Sequence, residues 1–185
     1  IWCKESQKVY FVVQDKGLRL TFANSCTTAV NTPWPHLAGR LRQADGVTLI
    51  ATVDLLEPPT LGMPIAEVYG VVPGGASDPN KTPVLFQLRS ADGLPPGTYT
   101  VATTWSSDGV MRRYVDGARV GNAIDKPYVL PRLGDTIEVK LLMPYSYHRQ
   151  DITHAGVVFH DLKLYDRALT AAEIATLSAA GQADR

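Results

Sequence analysis

The chain has 185 residues, with 18 basic and 18 acidic side chains and therefore a formal net charge of zero. A balanced charge excludes binding of nucleic acids or anionic membranes by bulk electrostatic attraction. No apolar run approaches the ~20 residues of a membrane-spanning helix. A chain of this length suits one large domain that buries its core without a metal, so we expect a single domain over residues 1–185.

The two cysteines, Cys3 and Cys26, lie at the ends of a segment that can fold back as a hairpin. We expect a disulfide between them, which implies an oxidising, extracytoplasmic compartment. The alternative is two unrelated thiols, and their spacing is unlike the close pairs of zinc ligands. The chain begins at Ile1 without a methionine or a signal peptide, so we expect a processed form or an excised domain.

The first half of the chain predicts short strands, one helix and several loops. Apolar or alternating segments predict strands at residues 9–13, 18–22, 47–55, 65–72 and 84–89. A helix is expected over 36–44, with Leu37 and Leu41 on one face, after a proline-containing loop at 31–35. Residues 74–81 form a loop by composition.

The strongest local pattern is a run of three strands joined by tight turns. Residues 98–105 alternate between apolar and polar, and Trp105 ends the apolar face, so we place Trp105 in the core. Asp108-Gly109 precedes a second strand, and Asp116-Gly117 precedes a third. Asp-Gly between alternating runs is the best short-range indicator of a hairpin. The predicted strands are 110–115 and 118–120.

The closing stretch combines a strand with a short helix. After a strand at 137–143 and a polar, aromatic loop at 145–154, Leu162 and Leu164 fall on one face of an extended segment. Thr170 is a good N-cap, and Glu173 completes a capping box. Gly181 is expected at the C′ position that ends the helix.

Together these elements predict an all-β protein of about ten to twelve short strands with one or two short helices. Two antiparallel sheets with the chain crossing between them would form a jelly-roll sandwich.

Two motifs resemble the laminin G-like domains of the concanavalin A-like lectin/glucanase superfamily. One is the YVDG hairpin ending at Gly117, and the other is the closing segment 162–174, LKLYDRALTAAEI. Residues 41–53 look like the family's earlier strand after a short helix, so the resemblance lies mostly between residues 37 and 181. It implies a two-sheet jelly roll that belongs to a larger exported or membrane-anchored bacterial protein.

The resemblance also implies binding of a glycan or a protein, in some relatives with calcium near the closing strand. Where the family often has an acidic residue, this chain has His160 followed by Asp161. We therefore expect no cofactor, with calcium on Asp151 or Asp161 and backbone carbonyls as the alternative. The potential zinc or calcium ligands are His148, Asp151, His154, His160 and Asp161. If they bind no metal, His148 and His154 lie in a solvated loop, and His160 is a hydrogen-bonded residue of the sandwich.

We expect no catalysis. Glycosidases of this fold need two carboxylates on one sheet face, about 5.5 Å apart for retaining chemistry. No E-x-D-x-x-E run and no G-x-S-x-G motif is present, although two carboxylates can still meet across strands. The glutamates are well separated along the chain: Glu5, Glu57, Glu67, Glu138 and Glu173.

Aromatic rings in loops can stack on sugars while presenting a polar group. We therefore predict a ligand site of Trp34, Tyr145, Tyr147, His148 and Asp151. The leading hypothesis is a non-catalytic, extracytoplasmic module that recognises a glycan or glycoprotein through loops at one rim. The alternatives are a protein-interaction or spacer domain with no sugar site, and a polysaccharide-degrading enzyme of the same fold.

Overall fold

The computed structural model describes residues 9–14, 17–22, 28–30, 35–56, 64–70, 84–89, 94–135, 137–141 and 157–183. For residues 9–37, and for some positions in later strands, only the backbone is described. The predicted disulfide, the loop at 74–81 and the loop at 145–154 lie outside these residues.

Eleven strands and two helices make up the described structure. In chain order the elements are β1 (Val9–Gln14), β2 (Gly17–Phe22), β3 (Thr28–Val30), α1 (Pro35–Arg42), β4 (Gly46–Leu55), β5 (Pro64–Gly70), β6 (Val84–Arg89), β7 (Gly97–Ser106), β8 (Val110–Val115), β9 (Ala118–Asp125), a 3₁₀ turn (Leu130–Arg132), β10 (Ile137–Leu141), β11 (Val157–Tyr165) and α2 (Ala171–Ala183). None of the described helices is long and apolar enough to span a membrane.

The strands form two antiparallel sheets, which confirms the predicted all-β sandwich. A seven-stranded sheet has the order β1-β2-β11-β4-β7-β8-β9, and a four-stranded sheet has the order β3-β10-β5-β6. The closing strand β11 lies between β2 and β4, so the last strand of the chain pairs with one of the first.

The main core lies between the two sheets. Alternating residues of β4 and β7 face it, together with side chains of β5 and β6 and two residues of α1. Trp105 is fully buried there, as predicted; its indole stacks near Phe86, and its Nε1–H donates to the Lys126 carbonyl at 3.0 Å. The largest fully buried side chains are Trp105, Phe86, Leu41, Leu49, Leu55, Ile65, Leu88 and Leu130.

The second helix covers part of the outer face of the seven-stranded sheet. Ile174 of α2 is fully buried against a small cluster that includes Ile50, Ala102 and Tyr114 of three adjacent strands. The predicted capping box is present, because the Thr170 amide donates to Glu173 Oε2 at 2.8 Å. Helix α2 therefore covers part of the face of the sheet that points away from the four-stranded sheet.

The structure corrects one prediction and changes the bounds of two others. Gly181 does not terminate α2 at C′, because the helix continues to Ala183. A Cβ at Gly181 would lie 3.1 Å from Thr52 Oγ1, so glycine serves a close approach to the sheet instead. Helix α1 ends two residues before the predicted boundary, and β9 continues to Asp125.

Candidate functional site

Most of the predicted ligand-binding residues lie outside the described structure. Trp34, Tyr145, Tyr147, His148 and Asp151 are among them and stay predictions. The other two candidate metal ligands, His160 and Asp161, are described and lie on β11.

A β-bulge places both of these residues on the outer face of the seven-stranded sheet. Phe159 pairs with Val53 and Asp161 pairs with Thr52, so His160 is the extra residue between the two pairs. In a regular strand, neighbouring side chains point to opposite faces. The bulge breaks this alternation, which lets His160 and Asp161 lie side by side.

Asp54 of β4 is the centre of the polar contacts on this face. His160 Nε2 lies 2.8 Å from Asp54 Oδ2, and the Thr98 hydroxyl donates to Asp54 Oδ1 at 2.6 Å. When Asp54 is ionised its oxygens only accept, and the imidazole then donates to it from Nε2. The side chains of Asp54 and His160 are each 30% exposed, so solvent reaches both.

A second ion pair extends this group of side chains. Lys163 Nζ lies 2.5 Å from Asp161 Oδ2, and both side chains are about half exposed. The outer polar cluster thus consists of Asp54, Thr98, His160, Asp161 and Lys163. Its two carboxylates are each paired with a nitrogen-bearing side chain, within reach of solvent.

The turn before α2 is tied to the start of β4, which fixes the helix beside the cluster. The Thr48 hydroxyl donates to the Arg167 carbonyl at 2.9 Å and accepts from the Leu169 amide at 2.8 Å. At the other end of the helix, Gly181 lies over Thr52, two residues from Asp54 on the same face of β4. The cluster therefore borders the C-terminal turn of α2.

The metal site predicted on Asp151, Asp161 and His160 stays a prediction. Among the described residues, His160 is paired with Asp54, and Asp161 with Lys163. Across the described part of the chain, no three His, Cys, Asp or Glu residues converge as metal ligands do. The predicted ligand Asp151 lies outside that part.

The cluster also brings two carboxylates together from adjacent strands. Asp161 is opposite Thr52, so Asp54 occupies the diagonal position on the neighbouring strand. Diagonal neighbours in a sheet are typically about 7–8 Å apart, which is within the range of paired glycosidase carboxylates. Spacing along the sequence could not show this arrangement, because it depends on the strand register.

Sequence reasoning missed Asp54 and Thr98. Both lie on the polar faces of alternating strands, where Asp54 pairs with Thr98 in the β4–β7 ladder. The sequence signal for this site was Asp54, a charged residue near the end of a long strand with one apolar face. Its partners come from β7 and β11, which are 44 and 106 residues away in sequence.

Comparisons with known proteins agree with this architecture. A laminin G family model, described as the concanavalin A-like lectin/glucanases superfamily, matches residues 74–175, more than half of the chain. No curated protein matches the chain significantly.

Solved structures show the same fold at low identity. A Trypanosoma rangeli sialidase in complex with sialic acid is 20% identical, with a TM-score of 0.54 over 93% of this chain and 29% of the sialidase. The binding domain of botulinum neurotoxin serotype C1 is 10% identical, with a TM-score of 0.51 over 89% of this chain and 40% of that chain. The chain thus spans less than a third of the sialidase.

Proposed function

Because the chain belongs to the laminin G family of the concanavalin A-like lectin/glucanases superfamily, we propose that it is a non-catalytic module that binds a glycan. The observation that carries the proposal is the outer polar cluster, where Asp54 and Asp161 stand beside His160 and Lys163 at the surface.

The chemistry of the cluster suits sugar hydroxyls. Each hydroxyl can donate one hydrogen bond and accept others, so it is best bound by neighbouring acceptors and donors. Asp54 and Asp161 supply carboxylate acceptors, the His160 imidazole supplies a ring N–H donor, and Lys163 supplies a cationic donor. Hydrogen bonds to charged groups are stronger than those between neutral groups, which offsets the cost of removing water from the cluster.

The same features favour binding over hydrolysis. A general acid needs an environment that keeps its proton near neutral pH, such as burial among apolar side chains. Asp54 and Asp161 are instead partly exposed, and each lies against a hydrogen-bonding partner, His160 or Lys163. Helix α2 covers the neighbouring part of the same face, where Ile174 packs against the sheet.

The proposal extends to the predicted loop residues and to the location of the protein. Trp34, Tyr145, Tyr147, His148 and Asp151 would add stacking and polar contacts at the rim. Residues 145–151 precede β11 in the chain, and β11 carries His160. We propose an extracytoplasmic module of a larger exported protein, because family members commonly occur there.

A glycan array with matched variants tests the site. The wild type should bind at least one glycan class, and sialylated glycans belong in the set because a sialidase of this fold has been solved with sialic acid. Asp54→Asn keeps the acceptor for Thr98 but removes the charge beside His160. Losing a charged hydrogen bond costs about 1.5–3 kcal/mol, so affinity should fall roughly 10- to 100-fold.

Asp166→Asn is the control for this variant. Asp166 forms a comparable exposed ion pair with Arg40. It comes directly after the last residue of β11, whereas His160 lies near the start of that strand. Its binding should equal that of the wild type. No bound glycan at high protein concentration would favour a spacer or protein-interaction domain, and turnover of any polysaccharide would establish an enzyme.

A further inference from the structure

Arg113 lies in an unusual place for a cation, on the inner face of the seven-stranded sheet. It pairs with Thr103 of β7 and Val120 of β9. The residues on either side of it along the same face, Met111 and Val115, are buried in the main core. The guanidinium therefore sits where the apolar core reaches the edge of the sheet.

The guanidinium has no partner to compensate its charge. Nε of Arg113 is buried without a hydrogen-bond partner, and no ion pair among the described residues includes this side chain. The hydroxyl of Thr103, directly opposite, is also buried and unpartnered. Buried polar groups in proteins are nearly always hydrogen-bonded, so two adjacent exceptions on paired residues indicate a missing ligand.

The edge strand β9 is shaped around this side chain. The β8–β9 ladder shifts register between Met111 and Arg113, so the three residues 121–123 lie opposite a single residue of β8. Gly121 has a φ of +67°, and a Cβ at this position would lie 3.2 Å from Arg113 Nη2. A glycine in a bulge thus leaves room beside the guanidinium, in a strand whose residues 121–125 are exposed.

We propose that Arg113 and Thr103 form a binding site for the carboxylate of an acidic sugar. The planar guanidinium matches a carboxylate with two parallel N–H···O bonds, and the Thr103 hydroxyl can add a third. Ile124 is 45% exposed and pairs with Met111, which lies on the same inner face as Arg113. Its side chain offers an apolar surface to the C–H face of a sugar ring. The contacts of Arg113 and Thr103 are the whole argument for an anion site. The assignment of the anion to an acidic sugar rests on the proposed function.

Titration calorimetry with D-glucuronate, D-glucose and acetate tests this site. The wild-type protein should bind glucuronate, bind the neutral glucose at least about tenfold more weakly, and bind acetate more weakly than glucuronate. Arg113→Gln should weaken glucuronate binding about tenfold or more, because one charged hydrogen-bond pair is lost. Arg113→Lys should recover only part of it, because lysine cannot bind a carboxylate through two parallel bonds.

Arg112→Gln is the matched control, because Arg112 is adjacent in sequence but lies on the opposite face of β8. It should bind glucuronate like the wild type. The glycan array at the outer polar cluster is judged on Asp54→Asn, whereas this titration is judged on Arg113→Gln, so a failure of the array leaves this test intact.

The thermal stability of a variant distinguishes a ligand-binding role of Arg113 from a purely structural role. Arg113→Met removes a half-buried charge that has no ion-pair partner among the described residues, so its Tm should equal or exceed that of the wild type. Equal glucuronate affinity in the wild type and Arg113→Gln would overturn the proposal, as would a Tm of Arg113→Met several degrees below the wild type. Acetate binding as tight as glucuronate would overturn the assignment of a sugar.

Discussion

The YVDG turn provides a sharp test of how α2 is held on the sheet. Asp116 and Gly117 both have positive φ, at 48° and 81°, as a type I′ turn requires. The turn is bonded to β7, where the Asp116 amide donates to the Thr100 carbonyl at 2.7 Å and the Thr100 amide donates to Asp116 Oδ1 at 2.8 Å. A Cβ at Gly117 would lie 2.8 Å from the Cα of Ala175 in α2.

Gly117→Ala should therefore destabilise the protein for two reasons. An alanine in the left-handed region costs about 1–2 kcal/mol. The contact with Ala175 involves helix backbone and not a flexible side chain, so overpacking adds about 1–3 kcal/mol. We expect a loss of roughly 2–5 kcal/mol, a large part of the 5–15 kcal/mol that is typical of natural proteins.

Gly39→Ala is the control for this substitution. Gly39 lies within α1, and a Cβ there would meet no atom within 4 Å. Alanine favours a helix over glycine by about 1 kcal/mol, so this variant should be as stable as the wild type or more so. Urea unfolding followed by circular dichroism measures both; a Gly117→Ala variant within about 0.5 kcal/mol of the wild type would refute the reasoning.

Two further predictions concern pH and calcium. The Arg167 side chain, with the amide and hydroxyl of Thr170, lowers the pKa of Glu173 from 4.5 to about 2, so its contribution to stability is present above pH 4.5 and is lost as the pH falls towards 2. The Tm difference between the wild type and Glu173→Gln should shrink across this window, and parallel pH curves would contradict the role of the ionised carboxylate. Melting with excess calcium and with a chelator should give the same Tm, because Asp161 is engaged by Lys163; a clear rise with calcium would instead indicate a site that includes residues such as Asp151.

Local patterns in the sequence predicted much of the fold. The capping box of Thr170 and Glu173 depends on residues three apart, and it is present as predicted. The burial of Trp105 follows from the alternation of its own strand. Such features depend on the period of a strand or helix, which a short stretch of sequence contains.

The two Asp-Gly turns show where local prediction stops. Asp116-Gly117 is a two-residue turn with both residues at positive φ. At Asp108-Gly109 only Gly109 has positive φ, and its amide bonds to the Ser106 carbonyl across a three-residue loop. The same dipeptide thus makes two different turns, because the pairing of the flanking strands selects the loop length.

The type of most elements, the all-β class and the likeness to the laminin G family can be predicted from the amino-acid sequence, since each depends on residues that are close together in the chain. Which polar side chains meet depends instead on how distant strands pair. The register of β4 against β11, together with the bulge at His160, unites Asp54 with His160. The ladder of β7, β8 and β9 leaves Arg113 without a partner. A shift of register by one residue would move these side chains to the other face, and the sequence carries no local mark of that choice.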